Sequence, residues 1–165
     1  MELDAFNRLD AEAARAVVRP CVDIDRWVDA VVEARPYATT AELLAAARTS
    51  APRWTPAEID GALARHPRIG ERASGGGAEA SLSRSEQAGI GEPTADVAAA
   101  LAAGNRAYEE KFSRVFLIRA AGRSADEILD ALSERLAHTE EEEIPVVAEQ
   151  LRQIAVLRLE GIIGS

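Results

Sequence analysis

At Thr55 and Glu58, at Ser83 and Glu86, and at Ser124 and Glu127, a serine or threonine stands three residues ahead of a glutamate. At that spacing a hydroxyl accepts from a backbone N–H one turn ahead while the carboxylate reaches back, so each pair marks a helix start. Between such marks apolar residues recur at helical spacing, and no stretch alternates like a strand. Alanine dominates and aromatic residues make up only 4%, which suits closely approaching helices. The expected fold is all-α: a single-domain bundle of about seven to nine helices over residues 1–165, with no internal repeat and no domain boundary. At 165 residues and 47% hydrophobic content the chain can bury a real core.

Asp4 is placed to cap a first helix over 4–19, closed by Pro20. A second covers 23–34 and stops before Pro36. Thr39 or Thr40 opens a third to about Ser50. The Thr55 box, with Pro56 at the first helical position, opens a fourth that runs into His66 and ends near Pro67. Thr94 starts a long helix toward Ala120, with Gly122 as a left-handed terminator. The Ser124 box opens a helix to about His138. The last helix covers 144–163, and the run of four glutamates before it reads as a solvated lead-in favoured by the helix dipole. The glycine-rich stretch around Gly75, Gly76 and Gly77 is the one low-complexity segment.

A net charge of −9 argues against nucleic acid and against an anionic membrane surface. A small anionic substrate stays open, because local arginines can outweigh the global field. No uncharged run approaches a membrane span. The acidic N-terminus lacks the features of a signal peptide, and the C-terminus carries no Ser-Lys-Leu address. The single Cys21 gives no disulfide framework and no cysteine zinc site, which points to a reducing cytoplasm. No phosphate loop and no His-x-x-x-His pair are present, so a metal site has little support.

Residues suited to proton chemistry are few. His66 is one of two histidines, set in a His-Pro-Arg-Ile-Gly turn that would fix its side chain at a helix-to-loop junction. The competing role is closure of its own helix end. Glu86 and Gln87 follow two serines; Glu86 serves either as the second half of a capping box or as an acid. His138 reads as a cation at a helix C-terminus. On a helical wheel Ile144, Val147, Ala148, Leu151, Ala155 and Ile162 form an apolar stripe, and Arg158 falls inside it. A buried guanidinium needs acceptors for its donors, either an internal carboxylate or that of a ligand. Asn105 shares a face with Leu101, Tyr108, Phe112, Val115 and Arg119 and reads as a buried hydrogen-bonding residue. Two readings survive at this point: a cofactor-free acid–base enzyme on an anionic small molecule, and a helical interaction module whose polar motifs are caps.

The segments HPRIGE, SRSEQAG, NRAYEEKF, FLIRAAGRSADEILDALSERL and IAVLRLEGI occur in that order, with Phe6-Asn7, Trp27 and Pro36 ahead of them. Together they resemble the 2-oxo-4-hydroxy-4-carboxy-5-ureidoimidazoline (OHCU) decarboxylases over nearly the whole chain. The resemblance implies an all-helical enzyme, a homodimer, without metal or organic cofactor, that produces (S)-allantoin in urate degradation. It implies His66 and Glu86 as catalytic residues. It implies Pro67, Ser83, Gln87, Ile118, Arg119, Ala120, Ala121, Gly122 and the carboxylate-binding Arg158 as substrate contacts. Leu82, where many members have tryptophan, Ser113-Arg114, and the segment HTEEEEIPVV depart from the family's usual residues.

Overall fold

The computed structural model describes residues 1–71 and 77–164. Among the described residues are nine α-helices and no strand: α1 Leu3–Arg8, α2 Ala11–Val18, α3 Asp25–Glu33, α4 Thr40–Thr49, α5 Pro56–Leu63, α6 Ala78–Ala88, α7 Ala95–Phe112, α8 Ala125–Leu136 and α9 Glu140–Ile163. Class and helix number match the expectation. Gly75 and Gly76 of the glycine-rich stretch lie outside the described residues. The chain divides into two compact units, Met1–Ala62 with Leu151–Ser165, and Leu63–Gln150.

In the first unit the expected helix over 4–19 is two helices. Leu9 is extended, and the Asp10 carboxylate accepts from Ala13 N at 2.8 Å to cap α2. Asp10 is therefore the cap, and Asp4 lies inside α1. A capping aspartate restarts a helix wherever the backbone ahead of it is extended. Trp27 is wholly buried on α3 and donates its indole N–H to Ala47 O of α4 at 2.8 Å. The Thr55 box forms as expected, with both reciprocal bonds in place. Arg26 grips Glu58 through two bonds and holds its carboxyl down to about 2. Arg152 donates to the carbonyls of Ala47, Ser50 and Ala51 at the end of α4 and lies 4.1 Å over the Trp54 ring, so it closes that helix as a C-terminal cation.

The second unit is built on α7 and α8. Tyr108 and Phe112 of α7 stack with centroids 4.6 Å apart, and Phe116 meets Tyr108 edge-on at 5.2 Å. Ile69, Leu101, Ile118, Ala120, Ile128 and Leu132 complete this core. At Gly104 a Cβ would stand 2.4 Å from a Leu132 methyl, so glycine lets α7 and α8 approach closely. α7 stops at Phe112, eight residues short of the expected end. Ser113 takes the left-handed conformation (φ 56) and donates its N–H to Glu109 O at 2.9 Å. Val115 and Arg119 are consequently not on the α7 face; they belong to the non-helical stretch 114–120.

The acidic run begins α9 instead of preceding it. Thr139 and Glu142 form a capping box that the sequence reading did not contain, so the glutamates occupy the first turn, where the dipole favours them. Three are exposed, but Glu143 is 0% exposed. It accepts from Tyr108 Oη at 2.7 Å and Arg135 Nε at 2.7 Å, and bonds His138 Nδ1 at 2.9 Å. Arg135 also donates to Leu117 O at 2.6 Å and lies 4.6 Å over the Phe116 ring. Burial, then the bond to Glu143, raises the Tyr108 hydroxyl pKa. Glu143 is thus a core ion-pair residue, and His138 serves it instead of standing as a plain helix-end cation.

Candidate active site

His66 lies three residues beyond α5. The helix ends at Leu63, earlier than expected, and His66 N donates to Leu63 O at 2.9 Å to close a final turn. Pro67 cannot continue a helix, so the chain leaves with the half-buried imidazole at the junction. Glu71 N then bonds Arg68 O at 3.0 Å, and Gly70 takes φ +89, a value that favours glycine. Ile69 between them anchors the turn in the core of the second unit.

Ser83, Glu86 and Gln87 sit inside α6, not at its start. The helix begins at Ala78 behind Gly77, which offers no side-chain cap. The Ser83 and Glu86 pair is therefore not a capping box. The three residues, at i, i+3 and i+4, share one face instead. The capping role for Glu86 is removed by what the chain does upstream: five helical residues already precede Ser83. Ser83 is 3% exposed; Glu86 and Gln87 are half-buried.

Gln87 joins the two motifs. Its Oε1 accepts from Gly70 N at 3.1 Å and its Nε2 donates to Arg68 O at 3.4 Å. Each end keeps one further hydrogen or lone pair for a ligand. Arg65 and Glu79 add an ion pair at 3.3 Å between the residues after α5 and the first turn of α6. Beside this junction opens a cleft of ≈ 840 Å³ whose lining includes Arg68, Gly70, Ser83, Gln87, Leu101 and Asn105, but not His66, Glu86 or residues 118–122. That volume lies within the range of small-molecule sites.

Residues 118–120 are non-helical and lead into a turn at 121–122. Ile118 and Ala120 point into the core, and Arg119 and Ala121 between them are half-buried. That leaves mainly backbone, Arg119 and Ala121 for a ligand. Arg119 N donates to Gln150 Oε1 at 2.9 Å. Arg123 Nε returns to Arg119 O at 2.9 Å, and Gly122 (φ +80) makes the turn into α8.

Arg158 belongs to the first unit. It is 4% exposed within the apolar face of α9, as the wheel predicts, and Nη1 donates to Pro20 O at 3.0 Å. Among the described residues no group of three or more histidine, cysteine, aspartate or glutamate side chains is arranged to hold a metal ion.

The family model for OHCU decarboxylase matches residues 7–160. The chain belongs to the OHCU decarboxylase family. A 2-oxo-4-hydroxy-4-carboxy-5-ureidoimidazoline decarboxylase of Amia calva is 32% identical over 136 residues, 81% of this chain and 78% of that protein. Two crystal structures share the fold. An OHCU decarboxylase in the presence of (S)-allantoin superposes with a TM-score of 0.71 at 22% identity, covering 95% of this chain and 100% of that one. An (S)-allantoin synthase gives 0.72 at 17% identity, covering 99% of this chain and 54% of that one; the chain spans about half of that longer protein.

Two departures from the usual OHCU decarboxylase residues have visible local roles. Ser113 is the left-handed cap that ends α7, and Leu82 is half-buried on α6 beside Ser83. The tether of Asn105 to the histidine turn was not part of the sequence reading. Asn105 Nδ2 donates to Ile69 O at 3.0 Å across 36 positions. Its place in an otherwise apolar face of α7 was the available signal.

Proposed function

We propose that this OHCU decarboxylase family member is a carboxy-lyase that converts 2-oxo-4-hydroxy-4-carboxy-5-ureidoimidazoline to (S)-allantoin in urate degradation, with residues 1–165 working as a single OHCU decarboxylase-like domain. The observation that carries most weight is the junction at Gln87: a histidine turn and a Ser/Glu/Gln helix face are tied together in a chain that matches the family from residue 7 to residue 160. The substrate's carboxylate leaves as carbon dioxide; its electron pair forms a C=C bond to the ureido-bearing carbon while the adjacent C=N pair moves onto the ring nitrogen, which takes up a proton from water. That internal sink removes the need for a cofactor. The resulting enol loses its hydroxyl proton and gains a proton on one face of the ureido-bearing carbon, which sets the S configuration. His66 and Glu86 handle these two protons. Ser83 and Gln87 hold the polar edge of the ring, and Pro67 with the backbone of residues 118–122 contributes the remaining contacts. Arg158 takes the carboxylate. Positioned proton transfer of this kind is worth about 10²–10⁴-fold.

Coupling urate oxidation and hydroxyisourate hydrolysis to this protein should yield allantoin with the circular dichroism of the S enantiomer and stoichiometric carbon dioxide. A racemic product formed at the uncatalysed rate would overturn the assignment.

With the capping role of Glu86 removed, Glu86→Gln isolates its charge. The shape stays, and kcat should fall at least about tenfold, a barrier change of roughly 1.4 kcal/mol. Turnover within twofold of the parent would return Glu86 to a positioning or structural part.

Arg158→Met keeps most of the packing in the α9 stripe and loses the anion site, and Arg158→Lys keeps charge but loses the planar fork. Both should raise KM strongly while the melting temperature moves by only a few degrees, on the order of 1 kcal/mol. A collapse of the melting temperature with affinity for an allantoin analogue retained would mark an ion pair of the fold instead.

We assign the protein to the cytoplasm, as a homodimer. The buried Cys21 thiol suits a reducing compartment, and no helix among the described residues is long and apolar enough to cross a membrane. Sedimentation at working concentration tests the dimer.

A further inference from the structure

We infer that Asn105 is a positioning residue for His66, acting through the turn that follows it; this rests on the decarboxylase reading above. Three consecutive residues just after His66-Pro67 are held at their backbone by side chains from two other helices. Gln87 of α6 takes Arg68 O and Gly70 N. Asn105 of α7 takes Ile69 O between them at 3.0 Å. One turn further along α7, Glu109 receives the Arg68 guanidinium through two bonds, at 2.5 and 3.1 Å. α6 and α7 therefore clamp the turn from two sides.

The tethers differ in strength. The Arg68–Glu109 pair is exposed, and such pairs contribute little in water. The Gln87 to Arg68 bond is long. The Asn105 bond is short and shielded: Asn105 is 5% exposed, in the stripe of α7 that also holds Leu101 and Tyr108. The residue carries a cost, because its Oδ1 has no hydrogen-bond partner among the described residues. A buried acceptor left so is unfavourable, and a leucine would fill that stripe without it. What asparagine supplies and leucine cannot is a donor aimed at Ile69 O. Ile69 is also the turn residue buried in the core, so fixing its carbonyl fixes the peptide plane two residues past Pro67 and, through the rigid proline, the direction in which His66 leaves the chain. Misplacing a general acid or base by even a fraction of its hydrogen-bond length lowers kcat more than binding.

The test uses Asn105→Leu, with Asn105→Asp as a second variant that keeps the shape and removes the donor at neutral pH. Two readouts do not require the substrate: amide hydrogen exchange over residues 66–71, and the imidazole NMR signals, which belong to only two histidines, His66 and His138. Exchange in the turn should accelerate about tenfold or more while the α7 and α8 amides hold. The His66 signal should shift and the His138 signal should stay. With the ureidoimidazoline substrate, kcat should fall roughly tenfold or more with KM within about threefold. Turn amides and a His66 signal like those of the parent would overturn the inference whatever the rates do. So would a loosened turn with kcat unchanged, or both variants unfolding globally. If the parent itself releases no carbon dioxide from the substrate while the turn still loosens in the variants, the decarboxylase reading falls and the clamp stands.

Discussion

An enzyme carrying His66→Asn should fold and melt like the parent and turn over at least about a hundredfold more slowly. The expectation of intact folding comes from how the turn is held. His66 contributes its backbone N–H to the Leu63 carbonyl, and any residue but proline does the same. The next three residues are fixed by Gln87 and Asn105, and Ile69 is anchored in the core. The imidazole is half-buried, so its loss removes modest packing. What disappears is the imidazole, a side chain able both to accept and to release a proton. Asparagine matches much of the ring's shape and can donate a hydrogen bond, but it cannot accept and release a proton. Parallel thermal melts and carbon dioxide release measure both halves. A variant that stayed active yet unfolded easily would make His66 a helix-end residue and nothing more.

Replacing Glu143 by alanine should be the most destabilising single change in the acidic run, by roughly 3–5 kcal/mol. At about 2–4 °C per kcal/mol for a protein of this size, the melting temperature should drop by something like 6–20 °C. Glu143 is fully buried and is shared by a phenol, a guanidinium and an imidazole. Without it the Arg135 charge is left beneath the Tyr108 and Phe116 rings, still bonded to Leu117 O but lacking the carboxylate that balances it. Two positions earlier, Glu141 is exposed, and Glu141→Ala should stay within about 0.5 kcal/mol. Differential scanning calorimetry on the two variants gives the comparison; equal melting temperatures would show that the buried pair contributes nothing net to the fold.

These two sites mark where local signals were enough and where they were not. The histidine turn was legible because proline and glycine act on their own neighbours: Pro67 ends the helical path and Gly70 takes a positive φ whatever surrounds them. The same holds for the caps at Thr55, Thr94 and Ser124, each bonded three residues ahead as its spacing predicts. It holds in part for the α9 stripe: Val147, Leu151, Ala155 and Arg158 are buried as its period requires, while Ile144, Ala148 and Ile162 are half-buried and Leu159 and Ile163 are buried instead. The order of the five motifs went further and named the family, which no single helix could do.

The Ser83 and Glu86 pair shows the limit. Hydroxyl and carboxylate three residues apart look identical at a helix start and along a helix face, because both arrangements use the same rise of one turn. Only the helix already running from Ala78 decides that these residues form a helix face, next to which Gln87 reaches the turn after His66. Likewise, helical spacing continues unbroken past Phe112, yet the chain leaves the helix there. Phe116, Ile118 and Ala120 then fill the core from a non-helical segment, and that burial outweighs the helix propensity of a short terminal stretch. Four adjacent glutamates are equivalent in the sequence. One becomes a core residue because Tyr108 and Arg135, 35 and 8 positions away, converge on it. The sequence by itself determined the helix starts at Thr55, Thr94 and Ser124, much of the apolar faces and the family, all set by interactions within a few residues or by motif order. Tertiary structure decided which polar groups on those faces are buried and what they hold, since that depends on partners brought together only when the chain has folded.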